Sequence, residues 1–336
     1  MNGSAINRHW VLRERPTGEI TVSNFELQRG PAPEPAAGEV LVRVHMLSID
    51  PANRAWMFPT ATYKAPVEPG QTMHGFGLGE VVTSNAEGFA IGDVVEGMLG
   101  WQDYAAVPGS DLTVRRPGTP AEHAMGVFGI TGLTAFHGLL EIGRPRPGET
   151  VVVSAAAGAV GTIAAQIAKI EGCRVVGIAG GPEKCQWLVD ELGLDAAVDY
   201  KAGELRKALK RACPNGVDVY FDNTGGDALA AALSTMNVHG RIVCCGNLSQ
   251  YNTDRPAPGP SGVPGLLVTK RIRMEGFIVL DHLANRDQME ATMQGWLDDG
   301  RLKAFQTVVD GLEQAPESLV QMFRGGNRGK LLVRVK

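Results

Sequence analysis

The sequence predicts an α/β protein in which a β-rich first domain precedes a doubly wound parallel sheet. Three observations carry that prediction. Short apolar pieces punctuated by Gly, Pro and Asp fill residues 1–122, and a second domain, residues 123–300, shows a strand, helix, strand rhythm beyond Glu149. Within that rhythm a glycine-containing turn stands between a predicted strand and a predicted helix. A chain of 336 residues is long enough for two domains.

The elements follow in order. From Glu39 to Ile49 apolar residues alternate, placing Val40, Val42, Val44 and Met46 on one face of a half-buried strand. Gly79–Thr83, Asp93–Met98 and Tyr104–Val107 read as further antiparallel strands. The composition changes near Ala121, where Ala124–Ile142 is apolar and helix-compatible until Gly143–Gly148 breaks it. Strands are then expected at Val151–Ala155, Arg174–Ala179, Val217–Asp222, Gly240–Cys245 and Arg273–Leu280. Helices are expected at Val160–Glu171, Glu183–Leu192 and Asp227–Met236, with Gly172 and Gly193 placed as C-terminal caps. Residues 301–336 form a last segment whose alternating end, Lys330–Val335, is suited to rejoin the first domain.

Composition excludes several classes. Hydrophobic residues make up 44% and charged residues 20%, the balance of a folded globular chain. Lys plus Arg number 32 against 36 for Asp plus Glu, which leaves no basic field for nucleic acid. No apolar run approaches the ~20 residues that span a bilayer, and the first residues lack a signal-peptide core, so a cytoplasmic protein is expected. Cys173, Cys185, Cys213, Cys244 and Cys245 are odd in number and do not form a disulfide framework.

The turn Ala155-Ala156-Ala157-Gly158-Ala159-Val160-Gly161 follows a strand and opens a helix, the setting in which backbone N–H groups meet a pyrophosphate. Gly158 removes a Cβ that would collide with phosphate, Gly161 lets helix pack closely on strand, and Ala155 replaces the usual first glycine. A tight turn without a ligand is the plainer alternative. An NAD site carries an acid about 20 residues on, to accept hydrogen bonds from the ribose hydroxyls. Here that place is Gly180-Gly181, and Lys184 follows, a cation suited to a 2′-phosphate. NADPH is therefore favoured, by about 10- to 150-fold for one charge-assisted bond. An ordinary solvated helix lysine is the alternative for Lys184.

Taken with Ile49-Asp50-Pro51, Thr131-Gly132-Leu133-Thr134-Ala135, Phe221-Asp222-Asn223, Cys245-Gly246 with Ser249-Gln250-Tyr251-Asn252, and Met274-Glu275-Gly276-Phe277, the chain resembles the medium-chain dehydrogenase/reductase superfamily. Its closest likeness is to the zinc-free prostaglandin, leukotriene and curcumin reductases. The resemblance covers nearly the whole chain. It implies a GroES-like barrel followed by a Rossmann domain, a homodimer, and NADPH as cofactor. It further implies that Ala157, Gly158, Ala159 and Val160 face the pyrophosphate and that Lys184 and Tyr200 lie near the adenosine phosphate. Asn223, Cys245, Gly246, Ser249, Tyr251, Phe277, Ile278, Val279 and Asn327 match positions lining the nicotinamide half.

Zinc-dependent relatives use Cys and His ligands in the first domain and a lobe of closely spaced cysteines. This chain has neither, since all five cysteines lie beyond Gly172 and His9, His45 and His74 are scattered. No metal is expected. Hydride transfer to the β-carbon of an enone or enal, with an enolate formed at the carbonyl, is then the chemistry the resemblance implies. Tyr251 is the candidate donor to that enolate, its phenol being protonated at neutral pH; a loop tyrosine packed on Pro256 or Pro258 is the alternative. One departure concerns substrate choice: Ala52 follows Asp50-Pro51 where curcumin reductases carry a tyrosine. A quinone oxidoreductase and a non-catalytic NADPH sensor are the competing functions. The stretch Gly246–Pro264 reads as a lid over the cofactor, with a passive loop as its alternative.

Overall fold

The computed structural model describes residues 5–60, 63–255 and 258–335. In chain order the strands are β1 (Ile6–Leu12), β2 (Phe25–Pro31), β3 (Glu39–Ile49), β4 (Phe76–Ser84), β5 (Val94–Met98), β6 (Tyr104–Pro108) and β7 (Leu112–Val114). They continue with β8 (Thr150–Val153), β9 (Arg174–Ala179), β10 (Ala196–Asp199), β11 (Val217–Asp222), β12 (Met236–Cys244) and β13 (Arg273–Gly276), then β14 (Gln306–Asp310) and β15 (Lys330–Arg334). The chain divides into two units: residues 1–125, 251–254 and 306–336 form the first, and residues 126–250 and 255–305 the second. The mixed α/β class expected from the sequence is the observed one.

The second unit is a six-stranded sheet in the order β10-β9-β8-β11-β12-β13, every pairing parallel. Its central strands β8 and β11 are buried on both faces, whereas the edge strand β13 is mostly exposed. Val151, Val152 and Val153 of β8 are all fully buried, and the first and third join one core while the second joins another. The helix Ala159–Ile170 presents Ala164, Ala165 and Ala168 to the first of these cores, small side chains that let it lie close to β8. Gly172 and Gly193 end their helices at φ +76° and +65°, as their capping role requires. The strand order reverses between β8 and β11, and the C-terminal ends of those two strands form the switch point of the sheet.

The first unit is an antiparallel assembly around β3, with the sheet order β14-β15-β3-β4-β5-β7, β6 also on β3, and a β1-β2 hairpin apart from it. β15 runs antiparallel to β3 and parallel to β14, so the returning end of the chain lies inside this sheet. It is locked there by Lys330, 3% exposed, whose ammonium donates to the Asp50 carboxylate (2.5 Å) and the Ile49 carbonyl (3.2 Å).

Three expectations are corrected. Met46 does not share a face with Val40, Val42 and Val44: a register shift against β4 falls between Val44 and Met46, and Met46 joins a separate cluster with Leu78 and Leu332. The apolar stretch Ala124–Ile142 is not one helix but the helices Ala121–Met125 and Ile130–His137 followed by a wider turn, Gly138–Gly143. The strand expected at Arg273–Leu280 stops at Gly276, and Val279–Asn285 is a 3-10 segment. Among the described residues no helix is long and apolar enough to cross a membrane.

Candidate functional site

In the second unit the expected turn adopts the geometry that a phosphate cradle needs. Ala155 takes a left-handed φ of +47°, the conformation that glycine supplies at this place in the usual fingerprint, at a cost of roughly 1–2 kcal/mol for a residue with a Cβ. The Gly158 N–H closes the turn onto the Ala155 carbonyl at 2.9 Å. A Cβ on Gly161 would lie 2.2 Å from that same carbonyl and 2.7 Å from Ala156 Cα, so only glycine permits the helix to start this near the strand. Among the described residues, the Ala155 carbonyl, at 3.2 Å, is the one atom beyond the chain neighbours and the helix's own backbone within 4 Å of a Cβ added at Gly158.

At the switch point the end of β11 is braced against the end of β8 by a buried carboxylate. Asp222, 2% exposed, accepts from Tyr220 Oη (2.9 Å), Ser154 Oγ (3.2 Å), Thr224 N (3.0 Å) and Gly225 N (2.9 Å). Asn223 adds two bonds across the same gap: its N–H donates to Ser154 Oγ (2.9 Å) and its side-chain amide to the Ser154 carbonyl (2.7 Å). Burial, with the Asp222 charge beside it, holds the Tyr220 phenol well above its ordinary range, so it serves as a proton-bearing donor. The loop after β12 stacks on this turn: Cys245 N and Gly246 N donate to the Asp222 carbonyl, Leu248 N to the Asn223 carbonyl and Ser249 N to the Thr224 carbonyl. A Cβ on Gly246 would meet the Asn223 carbonyl at 3.0 Å. Burial and Asp222 push Cys245 up to about 12 and burial pushes Cys244 up to about 11, so both are neutral thiols.

Ala157–Gly161, Asn223, Cys245, Gly246 and Ser249 thus come together around neighbouring strand ends of one unit. Phe277 lies in the same unit, half-buried 5.5 Å from the His137 ring, in a space that Gly138 leaves for it; Ile278 and the buried Val279 follow. Lys184 stands in the first half of the helix Pro182–Asp190, and Tyr200, half-exposed, begins the 3-10 turn after β10.

Tyr251 and Asn327 belong to the other unit. Tyr251 ends the short helix Leu248–Tyr251 rather than sitting in a loop, and of its alternative packing partners Pro256 lies outside the described residues, as does part of the lid stretch. Asn252 beside it accepts from Ile20 N at 2.8 Å. Partial burial raises the Tyr63 phenol above its ordinary value, and Tyr251 and Asp50 act on it in the same direction. The Asn327 side chain donates to the Gly329 carbonyl at 2.9 Å. Ala52 lies in the helix Pro51–Ala55, packed against the core of this unit.

Sequence reasoning missed Ser154, Tyr220, Tyr63 and the hub role of Asp222. An aspartate ending a strand of apolar residues was the available signal for the hub, because a carboxylate is buried only where donors meet it. Tyr63 stands outside any motif.

The histidines weighed as metal ligands are dispersed. His9 is on β1, His45 on β3 faces Glu80 at 3.8 Å, and burial lowers His74 to about 4 beside Trp56. Among the described residues no three His, Cys, Asp or Glu side chains are placed to hold a metal ion. The residues present do not fit a zinc centre.

Comparison with known proteins places this architecture. Residues 8–114 match the family described as N-terminal domain of oxidoreductase, and residues 159–297 the one described as zinc-binding dehydrogenase. The chain therefore belongs to the medium-chain dehydrogenase/reductase superfamily, in the branch of the curcumin and prostaglandin reductases. It is 41% identical to the NADPH-dependent curcumin reductase of Escherichia coli over 98% of this chain and 97% of that one. It is 38% identical to the NADP(+)-dependent 2-alkenal reductase of Nicotiana tabacum, over 98% of this chain and 97% of the relative. The crystal structure of CurA from Vibrio vulnificus in complex with NADPH superposes with a TM-score of 0.93 at 40% identity, covering 98% of this chain and 99% of that one.

Proposed function

We propose that this protein reduces the carbon–carbon double bond of α,β-unsaturated ketones or aldehydes with NADPH, as a cytoplasmic homodimer without a metal. The observation that carries the reading is the braced switch point of the second unit, where the glycine turn, Asn223 and the loop Cys245–Ser249 are fixed around one sheet end. The names of the curcumin and 2-alkenal reductases and the NADPH complex of a 40% identical relative support it.

When bound, NADPH supplies a hydride for the β-carbon of the substrate. In this reading the backbone N–H groups of Ala157–Gly161 hold the pyrophosphate, with Lys184 and Tyr200 at the adenosine phosphate. Asn223, Cys245, Gly246, Ser249, Phe277, Ile278, Val279 and Asn327 hold the nicotinamide half. Tyr251 donates its O–H to the carbonyl oxygen as enolate charge develops there, and water then supplies the α-carbon proton. Ala52 gives no donor at its position, so the choice of enone or enal falls to the remaining lining.

The test is loss of NADPH absorbance with a medium-chain enal, its saturated aldehyde, a simple quinone and no acceptor, with NADH in parallel. Oxidation with the enal but not the saturated aldehyde is expected; activity with the quinone alone would transfer the assignment to a quinone oxidoreductase, and binding without turnover to a sensor. Tyr251→Phe is expected to lower enal turnover about 10- to 100-fold while NADPH affinity stays within about twofold. Unchanged turnover would remove the hydroxyl from the mechanism.

A further inference from the structure

The geometry points to Lys201 as a second cation for the adenosine 2′-phosphate, one that helps set the preference for NADPH over NADH; the inference rests on the cofactor reading above. Gly180 follows β9 at the place where a doubly wound sheet meets the adenosine ribose. A Cβ built there would sit 2.9 Å from Tyr200 Cε1, 3.0 Å from Tyr200 Oη and 3.0 Å from Lys201 Cε. The Lys201 side chain therefore reaches back from the turn after β10 and covers the end of β9 beside the Tyr200 hydroxyl. Both groups occupy the space that a side chain on Gly180 would take.

The backbone that aims Lys201 is pinned by a carboxylate. Asp199 Oδ1 accepts from Gly181 N at 2.8 Å and from Lys201 N at 2.9 Å, so one oxygen ties the end of β9 to the turn after β10. Asp199 ends β10, not β9, so its Oδ1 supports the turn while the end of β9 itself carries no acid. Lys201 itself is exposed, and among the described residues its ammonium group makes no ion pair that would have to break first. An ammonium group on this stem, next to a phenol donor and with no acid at Gly180-Gly181, suits a phosphate and gives nothing to a bare 2′-hydroxyl.

Calorimetric binding of 2′,5′-ADP and 5′-AMP, which differ only in the 2′-phosphate, isolates the contribution without turnover. Lys201→Met keeps the stem that packs on Tyr200 and removes the charge. It is expected to weaken 2′,5′-ADP and NADPH about 10-fold or more while 5′-AMP and NADH stay within about twofold, and Lys201→Arg is expected to restore most of the loss. Gly180→Ala, whose new methyl meets the Tyr200 ring and the Lys201 stem first, is expected to shift the ratio of the two nucleotides the same way. Wild-type affinity for 2′,5′-ADP in Lys201→Met, with Lys184→Ala losing it, would overturn the assignment of Lys201 alone. A wild-type protein that binds 2′,5′-ADP no better than 5′-AMP would instead overturn the NADPH reading.

Discussion

The turns after β9 and after β11 both hang from an aspartate that gathers backbone N–H groups, yet they are built to opposite standards. Asp199 is half-exposed and holds two amides, and the neighbouring Gly181, at φ +93°, has nothing within 4 Å of an added Cβ. Asp222 is buried under donors from three chain segments, and a Cβ on its neighbour Gly225, at φ +65°, would fall 2.3 Å from Asn247 Oδ1. In the first, water can replace any bond that is lost. In the second, burial keeps water from the Tyr220 phenol and the Thr224 and Gly225 amides, so a lost acceptor is not replaced. The open turn is the place where specificity can drift at little cost to folding, and the closed one is the place where it cannot.

Substitutions can break that contrast. Asp222→Ala leaves a phenol and two amides unmatched in the interior, and a loss on the order of 3–5 kcal/mol is expected in chemical denaturation of the whole chain. A loss below about 1 kcal/mol would mean that the turn after β11 is no stiffer than its counterpart. Gly225→Ala is expected to cost about 1–2 kcal/mol, because the left-handed backbone penalises any Cβ and Asn247 must move aside. The smallest effect is expected from Asp199→Ala, about 0.5–1 kcal/mol by the same measurement, since solvent reaches the amides it abandons. Equal losses at Asp199 and Asp222 would erase the distinction.

The same contrast explains what could be read from the chain. The second unit was legible because its strands, helices and glycine caps are local patterns: β9 and β11 fall where periodicity places them, and Gly172 and Gly193 end the helices they were expected to end. The first unit was less so, since its pairings are long-range and the hairpin β1-β2 has no sharp alternation; the shift at Met46 comes from an extra β3 residue, His45, opposite consecutive β4 residues, which alternation alone does not mark. At the site, the glycine turn was visible as a motif. The donors to Asp222 were not, because Ser154 and Tyr220 become partners only when β8 and β11 pair.

The position of β15 inside the first sheet bears on how the chain is made. Lys330 and Asp50 are 280 residues apart, so at roughly 5–20 residues per second the ribosome delivers the lysine about 15–60 s after the aspartate it will cover. Through that interval the Met46–Ile49 part of one β3 edge is bare, beyond the reach of β6, while all six strands of the parallel sheet emerge and can fold. Synthesis thus matures the second unit ahead of the first, and the nascent β3 edge is the place where a chaperone has something to protect.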